Sequence, residues 1–452
     1  MQDSRKLTEG TVWRCLFVFF LPIAAGTLIQ QLYNAADGFI VSKFVGTEAL
    51  AAVGGSSAQI INVLIGFFVA VTSGASVVIA QIFGAGRQEE VKKATSNAVI
   101  ICSIIGVILM LFGFAATPWM LSVLKTPADT LAGSILYLRI YFIGVPFVLV
   151  LNMESNLLRA VGDSKTPFYY MIASCLTNIV LDFVFVYCFH WAIAGVAAAT
   201  VAAQVINTVL LTAKLLRTKE PYRLCLKELK LNRQYISAMM RIGIPSGLQS
   251  SMYSVSNMII QVGVNTLGTV VVASWAMTSK TDGFYWAVSN ALGSAITAFV
   301  GQNLGAGKQD RINKCVKQGM LLSVIITVVS SVVIMLAARP LLSILTDDLD
   351  VIETTFEMMT YFVPFYFTWA VIEVLSAVLR GSGDAVRPVI ITGLGICLFR
   401  VIWMATAFMY FHTLPVLCYS YACSWIITDI ALIVYYKRGK WLERSSRKIL
   451  EA

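Results

Sequence analysis

About a dozen apolar blocks, each roughly 20 residues or longer, follow one another along this chain with short polar connections between them. A block of that length crosses ~30 Å of hydrocarbon as a helix, with every backbone polar group satisfied inside its own segment. The pattern therefore predicts an all-α polytopic membrane protein with 12 transmembrane helices. Composition agrees: 58% of the 452 residues are hydrophobic and only 13% are charged, against about 25% charged in a soluble domain. The first block, from about Val12, follows a short mixed-charge segment and has no small-residue cleavage site, so a retained span is expected rather than a signal peptide.

The net charge of +10 raises the question of nucleic acid, but the basic residues are not gathered on one soluble module. Most of the 34 lysines and arginines fall at one face: the N-terminus, loops near 87–93, 159–165, 214–241, 308–317 and 380–387, and the C-terminus from Lys437. Lys43, Lys125, Arg139 and Arg339 fall at or near the other face, and Lys280 and Arg400 lie inside predicted spans. The positive-inside rule then puts both termini in the cytoplasm of a multi-pass protein of the cell inner membrane. The expected surroundings are lipid, with no nucleic-acid partner, and the chain is expected to act as a monomer. Nine cysteines form no CxxC pair and read as free, small apolar residues. His190 and His412 fall at external helix ends, where a metal site would lack convergent ligands.

The chain repeats itself. QIFGAGRQ from Gln81 matches QNLGAGKQ from Gln302, and RAVGDSKTP from Arg159 matches RGSGDAVRP from Arg380, both at an offset of 221 residues. Pro22 and Asn34 match Pro245 and Asn257 at an offset of 223. Several matches in order at nearly one spacing imply a duplicated six-helix unit. The expected organisation is an N-terminal lobe over 1–215, a basic cytoplasmic linker over 216–234, a C-terminal lobe over 235–436 and a cytoplasmic tail over 437–452. With an even number of spans per unit, the pseudo-twofold axis relating the lobes runs along the membrane normal, a geometry suited to alternating access. The GAG turns lack the strand and GxxxxGK[ST] spacing of a phosphate loop and read as structural turns, with Pro167 and Pro388 opening the next helices.

In the first span Thr27, Gln30, Gln31, Asn34 and Asp37 recur at three- and four-residue steps, a polar face on an otherwise apolar helix. An ionisable group inside a span is tolerated where it faces a cavity or a partner, so Asp37 is a functional-site candidate. Asp182 lies 15 residues beyond Pro167 and Asp37 lies 15 beyond Pro22, which places both carboxylates roughly 22 Å along outward-running helices, at one depth. Asn34 and Asn178 precede the two acids by one turn, and Thr200 comes to a similar depth from the next span. These oxygens suit a hard monovalent cation or a shared proton, or else a static hydrogen-bonded knot between spans.

The second half lacks this pattern: Phe399, Trp403 and Ile260 stand where Asn178, Asp182 and Asp37 stand in the first. It carries instead a stripe of Gln249, Tyr253, Asn257 and Gln261, with Asp282, Glu373 and Asp429 in other spans. Gln31, Tyr33, Gln249, Tyr253, Asn257, Asp282, Trp286 and Glu373 are the candidates for a substrate cavity. Trp275, Met277, Tyr285, Trp286, Tyr366 and Trp369 supply an aromatic and thioether surface that suits a flat cation, or ordinary packing.

In combination, Pro22 with N34xxD37, QxxGAG twice, RxxGDxxxP twice and N178xxxD182 resemble the multidrug and toxic compound extrusion (MATE) family over nearly the whole chain, closer to the prokaryotic branch that includes DinF than to the NorM-like branch. The resemblance implies a twelve-helix antiporter that exports drugs and organic cations in exchange for Na+ or H+, without a cofactor. It also implies a cation site at Asp37, Asn178, Asp182 and Thr200, which would hold any Na+. Ion binding is expected to bend the first span at Pro22, the hinge. The competing reading is a flippase for a lipid-linked precursor, for which Lys280 and Arg400 would be the main support. An enzyme is not expected, since no HExxH or GxSxG motif and no soluble catalytic domain is present.

Overall fold

The computed structural model describes residues 7–225, 231–346 and 348–444. The centre of the 216–234 linker and the end of the 437–452 tail lie outside the described residues. Twelve long helices account for nearly all the rest, with no strand among the described residues. They are α1 Val12–Val45, α2 Glu48–Gly84, α3 Gln88–Val123, α4 Ala128–Ala160, α5 Lys165–Cys188 and α6 Ala192–Arg217, then α7 Arg233–Thr266 and α8 Thr269–Gly305. The chain ends with α9 Gln309–Ser343, α10 Leu349–Gly381, α11 Val386–Phe411 and α12 Leu414–Arg438. The twelve-helix expectation is met.

Ten of these helices are long and apolar enough to cross a membrane, and α7 and α8 are the exceptions. Both are more than long enough, but Gln249, Asn257 and Gln261 in α7 and Asp282 and Asn290 in α8 face a cavity described below, and that polar face dilutes their apolar character. Elsewhere the outer surface is apolar: Leu111 on α3 is 63% exposed and Leu336 on α9 is 77% exposed. Such side chains stay outside when the surroundings are lipid rather than water.

The helices pack into two units. One runs from Leu21 to Gly247; the other joins Thr8–Phe20 to the chain from Leu248 onward. Two helices therefore change unit along their length, and each does so beside a proline: α1 next to Pro22 and α7 next to Pro245. In the first unit α4 is central, packing on α2, α3 and α6, with Leu138, Phe142, Val145 and Leu149 fully or nearly fully buried. Gly74 and Gly243 bring α2 and α7 into backbone contact: a Cβ on Gly74 would lie 2.5 Å from the Gly243 nitrogen. In the second unit α8 packs on α9 and α10 around buried Leu292, Ile296, Phe299 and Val300. Residues 8–10 are tied down here, because the Lys308 ammonium and the Arg311 guanidinium donate to the carbonyls of Thr8, Glu9 and Gly10.

The duplication is visible in matched turns. Gly86 has φ +75° and Gly307 φ +69°, the left-handed conformation that glycine supplies at a helix C-terminus. In both, the next residue's N–H returns to a carbonyl five residues back, Arg87 to Ile82 at 3.3 Å and Lys308 to Asn303 at 2.8 Å. The second repeated loop is held by its aspartate. Asp163 accepts from the Thr166 N–H at 3.0 Å and hydroxyl at 2.7 Å, tying the loop to the first turn of α5. Asp384 accepts from Arg387 at 3.0 Å and from the Tyr435 hydroxyl of α12. Pro167 and Pro388 sit in the first turns of α5 and α11, as expected.

Candidate transport sites

In the first unit, Asp37 of α1 and Asp182 of α5 come within interaction range of each other. The α-helical part of α5 ends at Asp182 and a π-helical turn, Phe183–Cys188, follows immediately; α1 has its own π-helical turn at Val41–Val45, just beyond Asp37. Widened turns of this kind redirect side chains and recur at functional positions. Asp182 is 0% exposed and Asn178 2%. Both Asp182 carboxylate oxygens, Oδ1 of Asp37 and both polar atoms of Asn178 are buried without a hydrogen-bond partner among the described residues. A buried carboxylate cluster of this kind is costly unless a cation or a proton neutralises it. Tyr33 lies beside both carboxylates and faces Thr200. A narrow polar cavity of about 130 Å³ runs from Tyr33, Asn178 and Thr200 past Asn152 to Arg159 and Pro167.

Asn34 does not join this group. It is exposed and donates to Gln31 at 3.4 Å. Tyr33, expected in a substrate cavity, occupies the place beside the acids instead. Both residues lie one turn before Asp37, so helical spacing alone admits either. Sequence reasoning missed Glu154 of α4, which is 0% exposed and accepts from the Thr212 hydroxyl at 2.6 Å. The signal was available, since Glu154 is an ionisable residue inside an apolar block. His190 and His412 are exposed and no group of metal ligands gathers among the described residues.

The second unit holds an open cavity of about 590 Å³. Of the expected substrate residues, Gln249, Tyr253, Asn257, Asp282, Trp286 and Glu373 line it; Gln31 and Tyr33 do not. Its wall is aromatic. Tyr366 stacks on Tyr285 with centroids 4.5 Å apart, and Trp286 meets Trp369 edge-on at 4.9 Å. Met277 is not among the lining residues, and Tyr285 lies behind Tyr366. Asp282 and Glu373 are each 8% exposed, whereas Lys280 is exposed and does not line the cavity. Sequence reasoning missed Tyr421 and Trp425 of α12 and gave Arg400 of α11 weight only for the flippase reading, although all three line the cavity. At the positions that match the first-unit acids, packing replaces the carboxylates: Ile260 is 0% exposed and Trp403 donates to the Val416 carbonyl at 2.9 Å.

Twelve long helices in two units, carboxylates within apolar helices and an aromatic cavity define a polytopic membrane transporter. The MatE family model matches residues 22–184 and again residues 245–406, so the chain belongs to the MATE family, whose members are transporters and not enzymes. Among curated proteins it is similar to the probable multidrug resistance protein YoeA of Bacillus subtilis, 26% identical over 396 residues, 86% of this chain and 85% of that one. It is also similar to the probable multidrug resistance protein NorM of Thermotoga maritima, 26% identical over 94% of this chain and 92% of that one. Among solved structures it shares the fold of a multidrug resistance MATE family transporter in an outward-facing conformation, with TM-score 0.89 and 20% identity over 100% of both chains.

Proposed function

We propose that this protein exports organic compounds, typically cationic and aromatic, across the cell inner membrane by alternating access, in exchange for Na+ or H+. The observation that carries the reading is the pair Asp37 and Asp182, of which both Asp182 oxygens and Oδ1 of Asp37 are buried without a hydrogen-bond partner among the described residues. Asn178 and Thr200 complete a set of oxygen ligands suited to Na+, and the same carboxylates can hold H+. The aromatic cavity with Asp282 and Glu373 takes the exported compound. Occupancy of one site changes affinity at the other only if each ligand binds two states of the protein unequally. Pro22 stands where α1 changes unit, a position suited to a hinge. Both termini lie on the cytoplasmic side by the positive-inside rule. The family relatives, named for multidrug resistance, do not favour the flippase alternative.

The test is dye efflux from proteoliposomes under an imposed Na+ gradient or pH gradient alone. Transport driven by one gradient and lost in Asp37→Asn, with the variant folded, is the expected result. Full ion coupling retained in Asp37→Asn would overturn the assignment of the pair.

A further inference from the structure

The narrow cavity of the first unit is lined by residues of α1, α4, α5 and α6. Among them the Arg159 guanidinium is the one charged group, and no carboxylate of the described residues joins it. The other polar lining groups are amides, hydroxyls and a thiol, Ser155 and Tyr170 among them. Nε of Arg159 is buried without a hydrogen bond, and Arg159 forms no ion pair among the described residues. The acids closest to it in sequence are engaged with other groups: Asp163 accepts from Thr166, and Glu154 accepts from Thr212. Lys214 of α6 brings a second cation to the same end. Its ammonium donates to the Thr166 hydroxyl at 2.7 Å and lies 5.8 Å from the centroid of the Tyr170 ring.

The internal duplication supplies a direct comparison. At the offset of 221 residues Arg159 matches Arg380, which lines the cavity of the second unit together with Glu373, two turns before it on the same helix. Glu373 and Arg380 interact electrostatically. The same offset places Asn152 where Glu373 stands. The second unit therefore carries a counter-charge for the repeated arginine, and the first has a neutral amide in its place. A buried charge without a partner is unfavourable, and an ion of opposite sign from solution relieves it. A guanidinium among N–H and O–H donors, with no carboxylate, attracts an anion and repels a cation. The volume of about 130 Å³ holds a few species of water size, each about 30 Å³. That is room for a halide and some water, and too little for a large organic anion.

We propose that the first-unit cavity binds a small monovalent anion of the size of chloride at the Arg159 guanidinium, with further donors from Ser155, one turn before it on α4, and Tyr170 of α5. The anion does for Arg159 what Glu373 does for Arg380. The inference stands apart from the export reading: it uses neither the acid pair nor the aromatic cavity, and its test requires no transport.

The test uses the purified full chain in detergent, with sodium gluconate replaced stepwise by sodium chloride so that Na+ and ionic strength stay constant. Chloride is expected to raise the unfolding temperature by a few degrees and to saturate, as a ligand bound only by the folded protein does. In Arg159→Gln that response disappears. Asn152→Glu gives the first unit the carboxylate of the second and keeps the test decisive where Arg159→Gln does not fold. It is expected to unfold in gluconate no lower than the wild type and to lose the chloride response. Bromide soaked into crystals of the wild type is expected to give an anomalous peak within hydrogen-bonding reach of Arg159. An unfolding temperature that does not change across the chloride series would overturn the proposal. So would a chloride response undiminished in Asn152→Glu, which marks a general salt effect, or bromide peaks that all lie away from Arg159.

Discussion

Among the described residues Glu154 is held by one hydrogen bond, from the Thr212 hydroxyl at 2.6 Å, and its Oε2 is buried without a partner. Two effects compete when the side chain is removed: the hydroxyl of Thr212 loses its acceptor, while a buried unsatisfied oxygen disappears. The cavity left by the truncation adds to the first, so Glu154→Ala is expected to cost about 2 kcal/mol. Glu154→Gln keeps an amide oxygen for Thr212 and is expected to cost less than about 1 kcal/mol. Thermal unfolding of the two variants in detergent checks this, and equal destabilisation in both would rule out the hydrogen bond as the source. At this scale the acids were legible because an ionisable residue in an apolar block stands out against its neighbours. Which neighbour on α1 faces Asp37 was not legible, because Tyr33 and Asn34 are both one turn away and only the packing of α5 and α6 distinguishes them.

The close approach of α8 and α10 sets the position of a cavity carboxylate. A Cβ added at Gly293 of α8 would overlap the Glu373 carboxylate of α10. The obstructing atoms are the end of a side chain rather than backbone, so Gly293→Ala is expected to leave the fold intact and displace Glu373. Affinity for a cationic dye should fall several-fold, on the order of 1 kcal/mol, with unfolding temperature little changed. Loss of the folded protein would instead show that this contact is needed for helix packing. By contrast Gly74 and Gly243 meet backbone to backbone, with no flexible group to yield. Gly243→Val is therefore expected to lower folded yield sharply, measured by size-exclusion chromatography; a monodisperse variant at wild-type yield would refute it. Helix number and order were legible because length and apolarity are local properties. The π-helical turns beside Asp182 and around Arg400 were not, since they reflect how a helix accommodates its neighbours.

All nine cysteines are unpaired, so no covalent crosslink contributes to the folded molecule. Unfolding temperature and non-reducing gel mobility should be the same with and without reductant; a shift in either would point to a disulfide. The duplicated sequence produces matched turns in both units, yet the two interiors differ. The first holds a narrow polar cavity beside an acid pair, and the second a wide aromatic cavity with both charges. Divergence at a few positions suffices, because Ile260 and Trp403 pack where Asp37 and Asp182 stand in the first unit.

The sequence by itself determined the membrane class, the twelve helices, the duplication and the acids that stand out within apolar spans. Each of these follows from the length of apolar blocks, from residues spaced along a single helix, or from the sequence compared with itself. Only the tertiary structure decided that Asp37 meets Asp182 beside Tyr33 rather than Asn34, that α1 and α7 change unit at their prolines, and that Arg400, Tyr421 and Trp425 share a cavity with Asp282. The reason is physical: those groupings join residues from helices far apart in the chain, and their depths and rotations are fixed by side-chain packing between helices, which no single segment encodes.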